Sequence, residues 1–264
     1  MYHAIRLYGA LLLVAVYTLP LMGAQWLALR TGWPDERIAP RLWHWLTLRV
    51  LGIRVRRQGK LARNGPLMIV ANHVSWTDIL VLGSLSGVHF IAKSEMQSWP
   101  VLGTFARLQR SVFVEREKRG TSPEQAREIA ARLADGDPMV LFAEGTTSDG
   151  NRVLPFKSTL FGAAQLALSA LEEVQVHVQP VAIAYTRKAG LPLDRRERGR
   201  IAWIGDMDLF PHLREILQGG ALDVEVRFGE PFAFAADGSR KKIARQTEEA
   251  VRHLLITALR GRES

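Results

Sequence analysis

Short apolar runs recur along the chain, each bounded by turn residues and separated by stretches with helical spacing. Leu67–Ala71 follows Gly65-Pro66, and Val88–Ala92, Ser111–Val114 and Met139–Phe142 are similar runs, the pattern of strands buried on both faces. Val176–Ala184 and Ile201–Ile204 read as further strands. Val224, Val226 and Phe228 alternate with Glu225 and Arg227, as in a half-exposed strand, and Arg54–Gly59 reads as a charged edge strand. Helices are expected at Arg41–Ile53, Ile79–Ser86, Ser98–Leu108, Phe161–Leu171, Leu209–Leu217 and Arg240–Leu259. Another starts at Ser122, as N-cap, with Pro123 in the first position and Gln125 at the capping-box position. Strand and helix alternate through most of the chain, which predicts an α/β fold with a mostly parallel central sheet flanked by helices.

The N-terminus breaks this rhythm. Leu7 through Leu29 carries no charged side chain, a length that can cross a bilayer core of roughly 30 Å. Trp26, Trp33, Trp43 and Trp45 lie in or after it, as expected near a membrane interface. Pro20 in its middle predicts a kinked helix, or a pair of short helices lying in one leaflet. Residues 1–39 are therefore read as a membrane-attachment segment and 40–264 as one catalytic domain without an internal linker. The arginines after residue 30 place that domain on the cytoplasmic side of the inner or plasma membrane under the positive-inside rule.

Charge changes the picture next. With 35 Lys and Arg against 26 Asp and Glu, the net charge is +9. Arg54, Arg56, Arg57, Lys60 and Arg63 crowd one segment, and Arg195, Arg196, Arg198 and Arg200 another. No zinc spacing, aromatic RNA-binding strand or recognition-helix unit accompanies them, so the expected partner is an anionic lipid surface and not nucleic acid. The chain has no cysteine, which excludes disulfides, thiolate metal sites and a cysteine nucleophile.

The candidate chemistry gathers after the first buried strand, in Asn72-His73-Val74-Ser75-Trp76-Thr77-Asp78. This polar cluster reads as a strand-to-helix turn, with Ser75 or Thr77 available as the cap. His73 in the turn and Asp78 on the first helical turn can meet, and an Asp holding one imidazole nitrogen makes the other a positioned proton acceptor. Ligands of open α/β sheets bind outside the carboxyl ends of the strands. His73, Lys93, Arg116 and Glu144-Gly145-Thr146 each follow such an end.

Four blocks together resemble the glycerolipid acyltransferases that acylate lysophosphatidic acid and related lysolipids. They are Asn72-His73 with Asp78, Lys93 through Arg116 ending in Val112-Phe113-Val114-Glu115-Arg116, Phe142-Ala143-Glu144-Gly145-Thr146, and Val178-Gln179-Pro180-Val181. The resemblance implies an O-acyltransferase in which His73, oriented by Asp78, deprotonates a lysolipid hydroxyl that attacks acyl-CoA or acyl carrier protein directly. It implies no metal or other cofactor. Asn72, Lys93, Arg116, Glu144, Gly145 and Thr146 would surround the acceptor, with Lys157 a weaker candidate for a phosphate or pantetheine contact. Two positions depart from the family pattern: Thr147 stands where an arginine usually follows the E-G-T turn, and Arg110 replaces a glycine before the last strand of the acceptor block. Both are therefore acceptor-binding candidates, one cation lost and one gained. Lysophosphatidic acid is the acceptor the family favours, and lyso-ornithine lipid is the alternative. Ser75 lacks the G-x-S-x-G elbow of a serine nucleophile. A non-catalytic lipid-binding membrane protein would need only the anchor and the basic patches.

Overall fold

The protein is described from a computed structural model, covering residues 2–261 except 64, 100, 115–122, 163–164, 166–175, 206 and 235–238. Two helices, α1 (Tyr2–Thr31) and α2 (Ile38–Leu51), precede the sheet. α1 is one continuous helix through Pro20, and not a pair of short ones. It is long and apolar enough to cross a membrane, and only 11% of its most apolar stretch is buried. A core helix would be covered, so this exposure fits a lipid-facing element. Tyr17 and Thr18 tie it to α2 through Thr47 and Trp43, with Tyr17 Oη and Thr47 Oγ1 2.9 Å apart and Trp43 Nε1 donating to Thr18 Oγ1 at 2.8 Å.

The strands are β1 (Ile53–Gln58), β2 (Leu67–Ala71), β3 (His89–Lys93), β4 (Val112–Val114), β5 (Met139–Phe142), β6 (Val176–Lys188), β7 (Leu191–Pro192), β8 (Leu222–Phe228) and β9 (Phe232–Phe234). Their order is β1-β8-β6-β2-β5-β3-β4, with β7 and β9 paired to β6. β6, β2, β5, β3 and β4 run parallel, while β8 lies antiparallel to β6 and carries β1 beside it. Every residue of β2 and β5 is buried, as the apolar runs require.

Successive residues of β2 point to opposite faces. Met68 and Val70 join a core with Ile129 and Leu133 of α5 (Pro123–Ala134) and Val251 and Leu255 of the last helix, α8 (Arg240–Leu259). Ile69 and Ala71 join a second core with Leu48 and Leu51 of α2, Leu80 to Leu82 of α3 (Thr77–Leu85), and Ile216 and Leu217 of α7 (Leu209–Gln218). The candidate turn after β2 belongs to this second face, where Val74 is buried.

Several expectations are corrected. Residues 201–204 are not a strand: Arg195–Ile201 is a helix, α6, followed by a turn. Its start is a capping box in which Asp194 accepts from the N–H groups of Arg196 and Glu197, both at 2.7 Å, and Glu197 reaches back to the Asp194 N–H. The helix expected at 98–108 starts later: Ser94–Ser98 is a 3₁₀ turn, and α4 spans Leu102–Leu108. β8 is more buried than its alternation suggests, because Asp223 and Arg227 are covered and paired with Arg56 and Glu225. The Ser122 cap and most of the helix expected at 161–171 lie outside the described residues.

Candidate active site

β2 delivers Asn72 and His73 just beyond its carboxyl end. Asn72 is buried, and both ends of its amide are used by one residue of the neighbouring strand. Its Nδ2 donates to the Ile183 carbonyl at 3.0 Å and its Oδ1 accepts from the Ile183 N–H at 2.8 Å. It thus continues the β2–β6 ladder as a surrogate backbone. Asn72 is fully buried and acts as a strut between strands, where an acceptor contact had been expected.

His73 and Asp78 do meet, with Nδ1 2.8 Å from Asp78 Oδ2. The same oxygen accepts the N–H groups of Val74 and Ser75 at 2.6 and 2.9 Å, so the carboxylate itself organises the turn. Neither Ser75 nor Thr77 caps α3, as had been expected: the Ser75 hydroxyl makes no hydrogen bond, and Thr77 bonds the Tyr185 hydroxyl. Tyr185 also donates to Asp78 Oδ1 at 2.7 Å. Burial first, and then the Asp78 charge, hold this phenol well above its usual range, so it remains a donor. Asp78 is fully buried and accepts on both oxygens, which fixes the plane of the histidine ring. That ring stacks on Phe142 at 4.0 Å between centroids. Nδ1 is committed to Asp78, which leaves Nε2 as the nitrogen for chemistry at the cavity that His73 lines.

The Glu144–Thr147 turn follows β5 alongside. Gly145 adopts φ +69°, and a Cβ there would approach the Lys157 side chain to 3.0 Å, so glycine lets the ammonium lie across the turn. Glu144 Oε1 accepts from the His73 N–H at 3.4 Å, while Oε2 is buried without a partner. Burial, with the Asp78 charge adding to it, pushes this carboxyl up to about 8, so it is mostly protonated near pH 7. Thr146 is exposed, and Thr147 is occupied by its hydrogen bond to the Trp203 carbonyl.

Lys93 ends β3 at the cavity mouth and pairs with Glu95 at 2.8 Å. Arg116 lies outside the described residues. Arg110 is elsewhere: it precedes β4 at the amino ends of the strands, bonded to Glu36 and 3.9 Å from Asp137. It is not an acceptor contact. Its φ of +56° explains the usual glycine there, since the left-handed region is costly for other residues. Glu36, His89 and Asp137 form the one cluster of metal-ligand type among the described residues, and Arg37 and Arg110 already engage its acids.

Beneath His73 and Lys93 opens a cavity of about 320 Å³ with mainly apolar walls, among them Leu11 and Val14 of α1, Ile79 of α3, Phe90 of β3 and Leu213 of α7. Sequence reading missed three supports of the site. Tyr185 lies on β6 beyond the fourth block, where a phenol in an apolar run carries no motif. Trp203 donates its N–H to the Val74 carbonyl at 2.9 Å. Arg198 is buried and donates to the carbonyls of Tyr185 and Leu193 and to Asn151. The chain's periodicity carries no trace of either contact.

The chain matches the family described as Acyltransferase over residues 52–184. It is 51% identical to a lyso-ornithine lipid O-acyltransferase of Brucella abortus, covering 100% of this chain and 98% of that one. It is 48% identical to a lyso-ornithine lipid O-acyltransferase of Rhizobium meliloti, covering 95% and 86%. A 1-acyl-sn-glycerol-3-phosphate acyltransferase of Neisseria gonorrhoeae is 38% identical over 43% of this chain and 44% of its own. In fold, the chain is similar to the crystal structure of a 1-acyl-sn-glycerophosphate acyltransferase from Thermotoga maritima, with TM-score 0.60, 21% identity, and 98% and 99% of the two chains covered. A histidine–aspartate pair at the strand ends, set over an apolar cavity on this frame, agrees with those likenesses: the chain belongs to the acyltransferase family and is an acyltransferase of the lysophospholipid type.

Proposed function

We propose that the protein is a lyso-ornithine lipid O-acyltransferase, with His73 as general base and the apolar cavity as the seat of the fatty acyl chain. His73 Nε2 takes the proton of the acceptor hydroxyl, and that oxygen attacks the thioester carbonyl of acyl-CoA or acyl carrier protein. The new C–O bond forms as the C–S bond breaks, and the imidazolium returns the proton to the departing thiolate. Asp78 and Tyr185 hold the ring through these steps. General-base assistance of this kind contributes about 10²–10⁴-fold.

The observation that carries the choice of acceptor is the 51% identity along the whole chain to a protein bearing that name. Lysophosphatidic acid, the acceptor favoured by the four blocks alone, is supported by a relative that matches less than half of the chain. The site chemistry points the same way. Thr147 stands in place of the extra arginine, and Arg110 sits at the other end of the sheet, so it does not restore the missing charge. An amino-acid head group carries a single carboxylate, which asks for fewer cations than a phosphate does, and Lys93 and Lys157 are the cations proposed to meet it. The test offers both acceptors to the full-length protein, with acyl-CoA and with acyl carrier protein. A kcat/KM for lyso-ornithine lipid at least about tenfold above that for lysophosphatidic acid is expected, since one lost charge-assisted contact is worth that much. Equal or reversed preference would overturn the assignment.

A further inference from the structure

The far end of the cavity carries polar groups that the reaction does not use. His44, on the inner face of α2, is 4% exposed. Its ring packs so tightly on Gly83 that a Cβ at that glycine would come within 2.3 Å of it. Neither ring nitrogen has a hydrogen-bond partner; Gln109 is the polar side chain that interacts with it, without completing a bond. Burial lowers the imidazole to about 4, so it is neutral and offers one N–H and one lone pair. Gln25 Oε1 is also buried and unpaired. Gln25, His44 and Gln109 line one narrow crevice, which shares His44, Gln109, Trp43 and Phe105 with the wall of the main cavity. Unpaired polar groups are costly in an apolar wall, and here several face one spot.

This spot is remote from the thioester end. Gln109 bonds the Val88 carbonyl and accepts from His89 Nδ1, which fixes it at the amino end of β3. Lys93, at the carboxyl end of β3, lines the cavity with His73. The four rises of about 3.3 Å between His89 and Lys93 separate the two ends by on the order of 13 Å.

We propose that the acyl cavity ends in a hydroxyl-recognising subsite built by His44 with Gln109, which accepts fatty acyl groups hydroxylated several methylenes away from the thioester carbon. This rests on the reading of the cavity as the acyl site. A hydroxyl both donates and accepts, and so pairs with whichever group of the neutral imidazole, N–H or lone pair, faces the crevice. A keto group would satisfy only the N–H. A charged group would have no counter-ion in these walls.

The experiment uses full-length protein and a set of acyl thioesters of one chain length: unsubstituted, or hydroxylated beside the carbonyl, in mid-chain, or near the end. The readout is the kcat/KM of each hydroxy isomer relative to the plain chain, in wild type, His44→Leu and His44→Gln. One distal isomer is expected to match or exceed the plain chain in wild type. That ratio should fall at least about tenfold in His44→Leu and be largely kept in His44→Gln, as for a site built to pair with a hydroxyl. A ratio that His44→Leu leaves unchanged, or that does not depend on hydroxyl position, overturns the subsite and leaves His44 to a buried water. Quenching of Trp43, Trp76 and Trp99, which line the cavity, by the matching free acids gives the same comparison without turnover. If wild type transfers no chain at all, the enzyme reading fails, while the quenching ratio still decides the subsite.

Discussion

Two histidine–carboxylate pairs, His73–Asp78 and His89–Asp137, lie at opposite ends of the same parallel strands. His73 follows β2 at its carboxyl end, while His89 opens β3 in register with the first residue of β5. His73 gives Nδ1 to Asp78 at 2.8 Å and keeps Nε2 for the cavity. His89 donates Nδ1 to the Gln109 carbonyl at 2.8 Å and turns Nε2 toward Asp137 at 3.5 Å, where it is buried without a completed hydrogen bond and away from the cavity that His73 lines. Arg37 engages Asp137 from the linker between α1 and α2. Burial alone would raise the Asp137 carboxyl, but hydrogen bonds and charge from His89 and Arg37 bring it down to about 2. The same residue types thus give the proposed base at one end and a clasp at the other. What separates them is whether the second ring nitrogen opens onto the main cavity or is buried against a carboxylate.

Exchanging the two pairs' roles by mutation is the strongest test of that contrast. His73→Ala should lower kcat by about 10²–10⁴-fold with the thermal midpoint nearly unchanged. Asp137→Ala should do the opposite, sparing turnover per folded molecule and destabilising by on the order of 2–3 kcal/mol. That is below the cost of breaking a fully buried pair, because Arg37 is 42% exposed. Turnover retained in a folded His73→Ala protein, or lost in a folded Asp137→Ala protein, would collapse the distinction.

A smaller effect refines it. Tyr185→Phe removes one of the four hydrogen bonds to Asp78 without changing its charge. About a tenfold loss in kcat is expected, with an altered pH profile and little change in KM, since a hydrogen bond to a charged group is worth about 1.5 kcal/mol or more. A proportional rise in KM instead would mean that Tyr185 shapes the binding surface and not the base.

A last prediction concerns Glu144. Its carboxyl is raised from the ordinary 4.5 to about 8, so the folded state holds a proton that the unfolded chain releases. Its stabilisation is full below about pH 4.5 and is lost as pH rises through about 8, at no more than about 1.4 kcal/mol per pH unit. Thermal midpoints from pH 5 to 9 should therefore decline in wild type, and Glu144→Gln should flatten the decline. An equal slope in both would mean that Glu144 is ionised throughout.

Much of this was legible in the chain, for reasons particular residues show. β2 and β5 declared themselves because strands buried on both faces have no polar alternation to blur them. His73 and Asp78 were visible as a spacing, and the converging strand ends gave that spacing its meaning. Arg110 misled because a cation near a motif in sequence need not be near it in space: one short helix and a left-handed turn put it at the wrong end of the sheet. Asn72 misled because an amide can mimic backbone, and its partner Ile183 is 111 residues away. Residues 195–201 looked like a charge cluster because four arginines drowned a single capping aspartate.

α1 has a practical consequence. Ala10, Leu11 and Val14 form part of the cavity wall, so the helix that fits a bilayer also closes the space proposed for the acyl chain. Anchor and active site are then one piece of construction. Trimming the first 39 residues to obtain a better-behaved protein would leave the cavity open along one side, flooded with water where a chain should lie. Conversely, a chain dissolved in the leaflet would have only a helix's width to cross, and could arrive sideways without passing through water.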